Sequence, residues 1–283
     1  MRRLDDDVSV TPSTQYRNPA ALPAGGVLVV GASSAGTQIA DELRSAGRDV
    51  VLAVGRHTRM PRRYRGMDIF WWLERTGRLS RTIDDFADPA DARREPSFQL
   101  VGRNEPEEFS EDLDLAALQA RGVRLTGRLE GVEGHRATFR DDLTETTAAA
   151  DRRMHRFLNA VDQHIHETGL AREVMSAMRP RPMPTVPAPR AIDLRGEGIG
   201  TVLLATGYRP DNGWLPSSIP EPDGTIRQRQ GVTPAPGVYV VGQRFQHRRD
   251  SGFIDGARHD AQAVLANIIA GETAGLSNQV SMR

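Results

Sequence analysis

The sequence contains neither cysteine nor lysine. Without cysteine there are no disulfides, no thiolate metal sites and no paired thiols for disulfide exchange, so any redox chemistry has to be borrowed from a bound cofactor. Without lysine, Tyr16, Tyr64, Tyr208 and Tyr239 all lack a basic partner four residues on. That counts against carbonyl reduction by a nicotinamide alone, which needs a proton donor. Charge of one sign is missing too: 37 basic side chains, all arginine, face 37 acidic ones. No global field draws the chain to nucleic acid or an anionic membrane, and a small-molecule partner is expected. The first residues carry charge but no apolar leader core, and no run approaches the ~20 apolar residues of a membrane span. A soluble, cytoplasmic protein is the reading.

What is present begins with a linker-like stretch, residues 1–25, rich in charge, Ser/Thr and Pro and predicted to hold no strand. Val27 to Val30 is continuously apolar, as in a parallel strand covered on both faces. A helix follows with Ala35, Ile39, Leu43 and Ala46 at helical spacing and Gly47 as its stop, and then a strand from Asp49 to Val54. MDIFWWLERTGRL carries two of the three tryptophans and reads as packing. Residues 79–112 read as a long polar loop. After that come a helix and glycine-turned strands within 113–139, then a helix with Leu143, Thr147, Ala150, Met154, Leu158, Val161 and Ile165 on one stripe. His155, His164 and His166 on that helix are never three or four apart, so they do not form a metal face. Residues 179–190, RPRPMPTVPAPR, form a stiff crossover. Beyond it lie the strand TVLLATGYRP, the strand GVYVVG, and a final helix with Ala261, Val264, Leu265, Ile268 and Ile269.

The chemistry concentrates in GASSAG, where the spacing is Gly31-x-Ser33-x-x-Gly36. With 27 glycines in 283 residues, two of them five apart arise by chance, so the context has to carry the reading. An apolar strand runs into Gly31, which permits the tight turn, and Gly36 lets the helix pack close to that strand. Amides at the helix start, including those around Ser33 and Ser34, then face a pyrophosphate, helped by the helix dipole. Where an NAD-preferring site places a carboxylate, about 20 residues past the glycines, stand Gly55, Arg56, His57, Thr58 and Arg59. Arg56 and Arg59 suit the 2′-phosphate of NADP instead. One charged hydrogen bond of roughly 1.5 to 3 kcal/mol would favour NADP by about 10- to 100-fold. The bland alternative is a solvated basic loop.

From residue 13 onward the chain resembles the latter two-thirds of a flavin-containing monooxygenase-like oxidoreductase of the two-dinucleotide-domain flavoprotein superfamily. TQYRNPAALP and VLVVGASSAGTQIADEL resemble the entry to the NADP domain and its phosphate-binding unit. TVLLATGYRP resembles the strand re-entering the FAD domain, and GVYVVGQRFQHRRDSGFIDGARHDA the closing strand and helix beside the flavin. The resemblance implies hydride transfer from NADPH to FAD and oxygenation of a small nucleophilic substrate. It places Thr206 and Gly207 near the cofactor junction, Gly242 and Gln243 near the flavin phosphates, and Ile254 and Asp255 at the flavin edge. Each also has a plain reading: Gly207 makes a turn, and Asp255 caps the last helix. No acid, base or nucleophile stands out as catalytic.

Members of that family begin with a further strand and G-x-G-x-x-G for FAD, and residues 1–25 contain neither. Gly196, Gly198 and Gly200 precede a strand instead of following one, and are a decoy. The expected architecture is α/β: a linker and FAD-domain remnant at 1–25, a Rossmann-like NADP-binding domain with a parallel sheet at 26–178, and an incomplete FAD-type domain at 179–283. Either another copy or a partner chain completes the FAD site, or the start lies further upstream, or the chain is a non-catalytic NADP-binding module.

Overall fold

The computed structural model describes residues 7–88, 92, 98–101, 113–184 and 187–280, without the side chains of 98–101 and 271–280. It divides into two compact units: Met1–Trp72 with Pro96–Gly207, and Leu73–Glu95 with Tyr208–Arg283.

The first unit opens with β1 (Ser9–Pro12), β2 (Gly26–Val30), α1 (Ser34–Ser45) and β3 (Val50–Ala53). Next come β4 (Thr58–Pro61), β5 (Arg63–Tyr64), β6 (Met67–Asp68) and α2 (Ile69–Arg75), which runs into the second unit. β7 (Phe98–Val101), α3 (Leu115–Ala120), β8 (Arg124–Thr126), β9 (Leu129–Glu133), β10 (Arg136–Phe139), α4 (Leu143–Glu167), β11 (Ala191–Asp193) and β12 (Ile199–Leu204) complete it. The central sheet is five-stranded, in the order β1-β12-β2-β3-β8, and every pairing in it is parallel.

The alternation of β2 sorts the core. Val27 and Val29 point to the side where Ile39, Ala40 and Leu43 of α1 and Leu115 and Leu118 of α3 pack. Leu28 points to the other side, where Val132, Ala137, Phe139 and Ile192 come from a second, three-stranded sheet of order β11-β10-β9. Successive strand side chains face opposite ways, so a strand apolar at every position needs a cover on both faces. Each such Val or Leu, fully buried, contributes about 1.5–3 kcal/mol. Helix α1 stops as its sequence predicts: Gly47 has φ of 79° and its N–H donates to the Arg44 carbonyl at 3.0 Å.

Several expectations need correction. Residues 1–25 do hold a strand: β1 pairs with β12, burying Val8, and ends at Pro12, whose missing N–H suits the edge of a sheet. The stretch 79–112 includes β7, paired parallel with β4, although 89–91, 93–97 and 102–112 lie outside the described residues. The crossover is not the boundary, because Arg179–Gly207, with β12, belongs to the first unit. GVYVVG forms no regular strand, only an isolated bridge from Tyr239 to Val232.

A small cluster fixes the β5–β6 hairpin to α4. Arg65 and Gly66, with φ of 52° and 82°, make its two-residue turn. Asp162 of α4 accepts from Tyr64 Oη at 2.8 Å and Arg65 Nε at 2.7 Å, and from Arg179. Burial pushes the Asp162 carboxyl up, but those donors outweigh it and hold it below its ordinary value. A depressed folded value means that this stabilisation is complete above the unfolded value of about 3.9 and is lost as pH falls through the folded one. Asp162→Asn is therefore expected to cost about 1–3 kcal/mol near neutrality. In urea titrations the gap from wild type should close toward pH ~3; a gap constant with pH refutes this account.

In the second unit, Ile83 N–H donates to His247 O at 2.7 Å and Arg249 N–H to Arg81 O at 2.9 Å. Phe86 meets Phe245 edge to face at 5.4 Å, and Arg81 lies 4.0 Å over the Phe86 ring. The long helix α5 (Ile254–Val280) buries Val264 but leaves Leu265 and Ile269 exposed.

Candidate functional site

Parallel pairing brings Val30, Ala53 and Leu204 into register, so β2, β3 and β12 end together. The carboxyl edge of such a sheet is where α/β proteins bind ligands. Three of the segments that leave the sheet there are Gly31–Ser33, Gly55–His57 and Ala205–Gly207.

The first is a close-packed turn. Gly31 has φ of 107°, and a Cβ on it would lie 2.4 Å from the Ala205 carbonyl oxygen. A Cβ on Gly36 would lie 1.8 Å from the Gly31 carbonyl oxygen. Only glycine fits at either point, and the result is a bare backbone rim before α1. Thr37 N–H reaches back to Ser33 O at 3.0 Å, closing the first helical ring. Ser33, the residue before the helix, makes no side-chain capping bond, and the first turn of α1 holds no acidic residue. The positive end of this twelve-residue helix thus has no carboxylate in its own first turn.

The two arginines predicted to grip a phosphate part company. Arg56 is exposed just beyond β3. Arg59 is buried within β4: its Nε and Nη2 donate to Asp114 Oδ2 at 3.1 and 2.5 Å, and its Nη1 to Asp151 Oδ1 at 2.6 Å and Arg181 O at 2.8 Å. Its donors are committed to a structural triad, so Arg59 is corrected from phosphate ligand to core ion pair. The carboxylates are equally engaged: Asp114 Oδ1 caps α3 through Ala117 N–H at 2.8 Å, and Asp151 Oδ2 accepts Met183 N–H at 2.7 Å. The triad also ties the proline-rich segment to α4.

Sequence reasoning missed two residues here. Ala205 forms the far wall of the turn. Arg153, from α4, donates through Nη2 to His57 O at 2.5 Å, beside Arg56. Burial, then the like charges of Arg56, Arg156 and Arg152, pull the Arg153 pKa down. His57 is buried as well; desolvation lowers its pKa despite the contact of Nδ1 with Gly55 O at 3.0 Å. The only sequence signal for Arg153 was its place between Ala150 and Met154, at the border of the apolar stripe.

Of the junction residues, Thr206 follows Ala205 directly, its amide N 3.5 Å from where a Gly31 Cβ would stand; Thr206 and Gly207 are exposed. The flavin-side residues lie in the second unit. Gly242 has φ of 82° in open space, and its carbonyl lies 3.9 Å from a Cβ placed on Gly252, just before α5. Gln243 N–H donates to Gln246 Oε1 at 3.2 Å, and Gln246 Nε2 to Val240 O at 2.9 Å. Ile254 is 99% exposed at the start of α5, and Asp255 pairs with Arg258 at 3.3 Å. Among the described residues no three acidic or histidine side chains gather as a metal site, and no helix is long and apolar enough to cross a membrane.

A parallel α/β sheet with a glycine turn at its carboxyl edge defines the class. No family model matches the sequence. The chain is similar over most of its length to an oxidoreductase described as CzcO-like from Geobacillus kaustophilus, 26% identical over 269 residues, which are 94% of this chain and 59% of that protein. A CzcO oxidoreductase of Bacillus subtilis is 20% identical over 93% of this chain and 58% of its own length. The chain thus spans somewhat under three-fifths of these curated relatives. Among solved structures, a flavin-containing monooxygenase from Stenotrophomonas maltophilia aligns at 12% identity with a TM-score of 0.46, over 92% of this chain and 55% of that one. The curated relatives are described as oxidoreductases.

Proposed function

We propose that the chain is the nicotinamide-nucleotide-binding part of a flavoprotein oxidoreductase of monooxygenase type that prefers NADPH. The observation that carries this reading is the backbone rim of Gly31 and Gly36 at the start of α1, with Arg56, and no carboxylate, just past β3. A diphosphate can approach this rim closely because a Cβ at either glycine would collide with backbone. Ser33 and Ser34 offer hydroxyls beside it, and Arg56 offers a charged donor to a ribose phosphate.

For FAD the fit is partial. The described residues contain no second strand, glycine turn and helix that would hold its ADP half. The loop at Gly242 and the start of α5 are open backbone where a flavin edge would rest. When bound, FAD would supply hydride acceptance and oxygen chemistry. The chain's own task is to orient the nucleotide, with Thr206 and Gly207 at the exit of β12 bordering the reduced end. The substrate is a small nucleophile.

A second reading is a non-catalytic NADP-binding module. The failure of GVYVVG to form a strand, which leaves Val241 42% exposed, favours it. Calorimetric titration of the purified chain with NADP⁺ and NAD⁺, then gel filtration after mixing with FAD, separates the readings. NADP⁺ binding tighter by about 10- to 100-fold, with flavin colour retained by the protein, is the expected result. Tight NADP⁺ binding without retained flavin supports the module, and equal affinity for the two nicotinamide nucleotides refutes both.

A further inference from the structure

The βαβ fingerprint supplies a single exposed arginine to the adenosine end, and the structure sets another beside it from an element well outside that fingerprint. Helix α4 packs along β4, anchored by the Asp151–Arg59 bond at 2.6 Å. That packing lays the long stem of Arg153 against the Gly55–His57 loop, where Nη2 donates to His57 O at 2.5 Å. The same guanidinium has an Nε that is buried and has no hydrogen-bond partner. A buried charged donor left unpaired is costly, and native proteins seldom leave one without a ligand or a task. The charges that act most on Arg153 are the like ones of Arg56, Arg156 and Arg152. Arg153 and Arg56 bring two like charges to the end of β3, a combination that an anion would relieve and a neutral ligand would not.

We propose that Arg153 is a specificity-determining residue that forms, with Arg56, the seat of the phosphate on the adenosine ribose. The inference rests on the nucleotide reading given above and adds that discrimination between the phosphorylated and unphosphorylated nucleotide comes in part from α4. Nη2 stays on the His57 carbonyl and fixes the plane of the guanidinium, which leaves Nη1 for a phosphate oxygen. Arg152 and Arg156, both exposed, add field without direct contact.

The test compares adenosine 2′,5′-bisphosphate with adenosine 5′-monophosphate, and NADP⁺ with NAD⁺, by calorimetry on wild type, Arg153→Gln and Arg56→Ala. Arg153→Gln is expected to weaken the 2′-phosphorylated ligands about 10- to 100-fold and to leave the other two unchanged. The unchanged pair serves as the folding control. If all four ligands weaken alike, or if none does while wild type still favours NADP⁺, the proposal is overturned and the nucleotide reading stands. If wild type shows no preference for the 2′-phosphorylated ligands, the nucleotide reading falls and takes the proposal with it.

Discussion

Gly36→Ala is expected to destabilise the first unit by about 2–4 kcal/mol and to abolish nucleotide binding. On helix propensity alone the change should help, because alanine is worth about 1 kcal/mol over glycine inside a helix. The structure reverses the sign: the new Cβ would lie 1.8 Å from the Gly31 carbonyl oxygen and 3.4 Å from Ala205 Cβ. Neither obstacle is the tip of a flexible side chain, so α1 would have to move off β2 and open the core face formed by Ile39, Ala40 and Leu43. Gly47→Ala is the natural comparison. There φ is 79° but nothing lies within 4 Å of the new atom, so only the left-handed backbone penalty of about 1–2 kcal/mol applies. Urea unfolding of the two variants orders them; a neutral or stabilised Gly36→Ala would show that the turn is not packed as described.

Arg59→Met is expected to cost about 3–5 kcal/mol, because it strands two buried carboxylates that were paired. The Arg59 side chain is 10% exposed, and those of Asp114 and Asp151 are 12% and 9%. Solvent therefore screens little of the loss. The triple variant Arg59→Met, Asp114→Asn, Asp151→Asn should recover more than half of it, since the amide oxygens can still accept from Ala117 N–H and Met183 N–H while the unpaired charge is gone. Thermal unfolding of the single and triple variants reads this coupling, and additive losses would argue against a triad. The same variant separates Arg59 from Arg56 in binding: loss of Arg59 should weaken NADP⁺ and NAD⁺ alike, through the fold, whereas loss of Arg56 should move their ratio.

Arg59 illustrates where the sequence was silent. Its position, just after the second strand of a βαβ unit, is where a phosphate ligand belongs. Its partners stand 55 and 92 residues further on, and nothing local announces them. What was legible came from short-range pattern. The unbroken apolar run before Gly31, the spacing of Ile39 and Leu43, and the stripe along α4 each follow from one element burying one face. Strands whose identity depends on a distant neighbour are illegible locally, in both directions. Ser9–Pro12 carries too few apolar residues to read as a strand, yet β12 offers it an edge to pair with. GVYVVG has the β-branched residues of a strand, yet among the described residues it finds no ladder beyond Val232. β12 follows the proline-rich segment in the chain and so reads as part of a new domain, but its hydrogen bonds go to β2.

That last pairing has a consequence for biosynthesis. Ser9 sits opposite Thr201, and Leu204 opposite Val30, so the strand that joins β1 to β2 is the last of its unit to leave the ribosome. Until then β2 has one open flank and β1 has no partner at all. Loop closure over such separations is slow, and unpaired apolar strands aggregate in the interval. A nascent chain stalled before Ile199 would hold its nucleotide turn without the wall at Ala205, and should be a client for chaperones rather than a binder of cofactor.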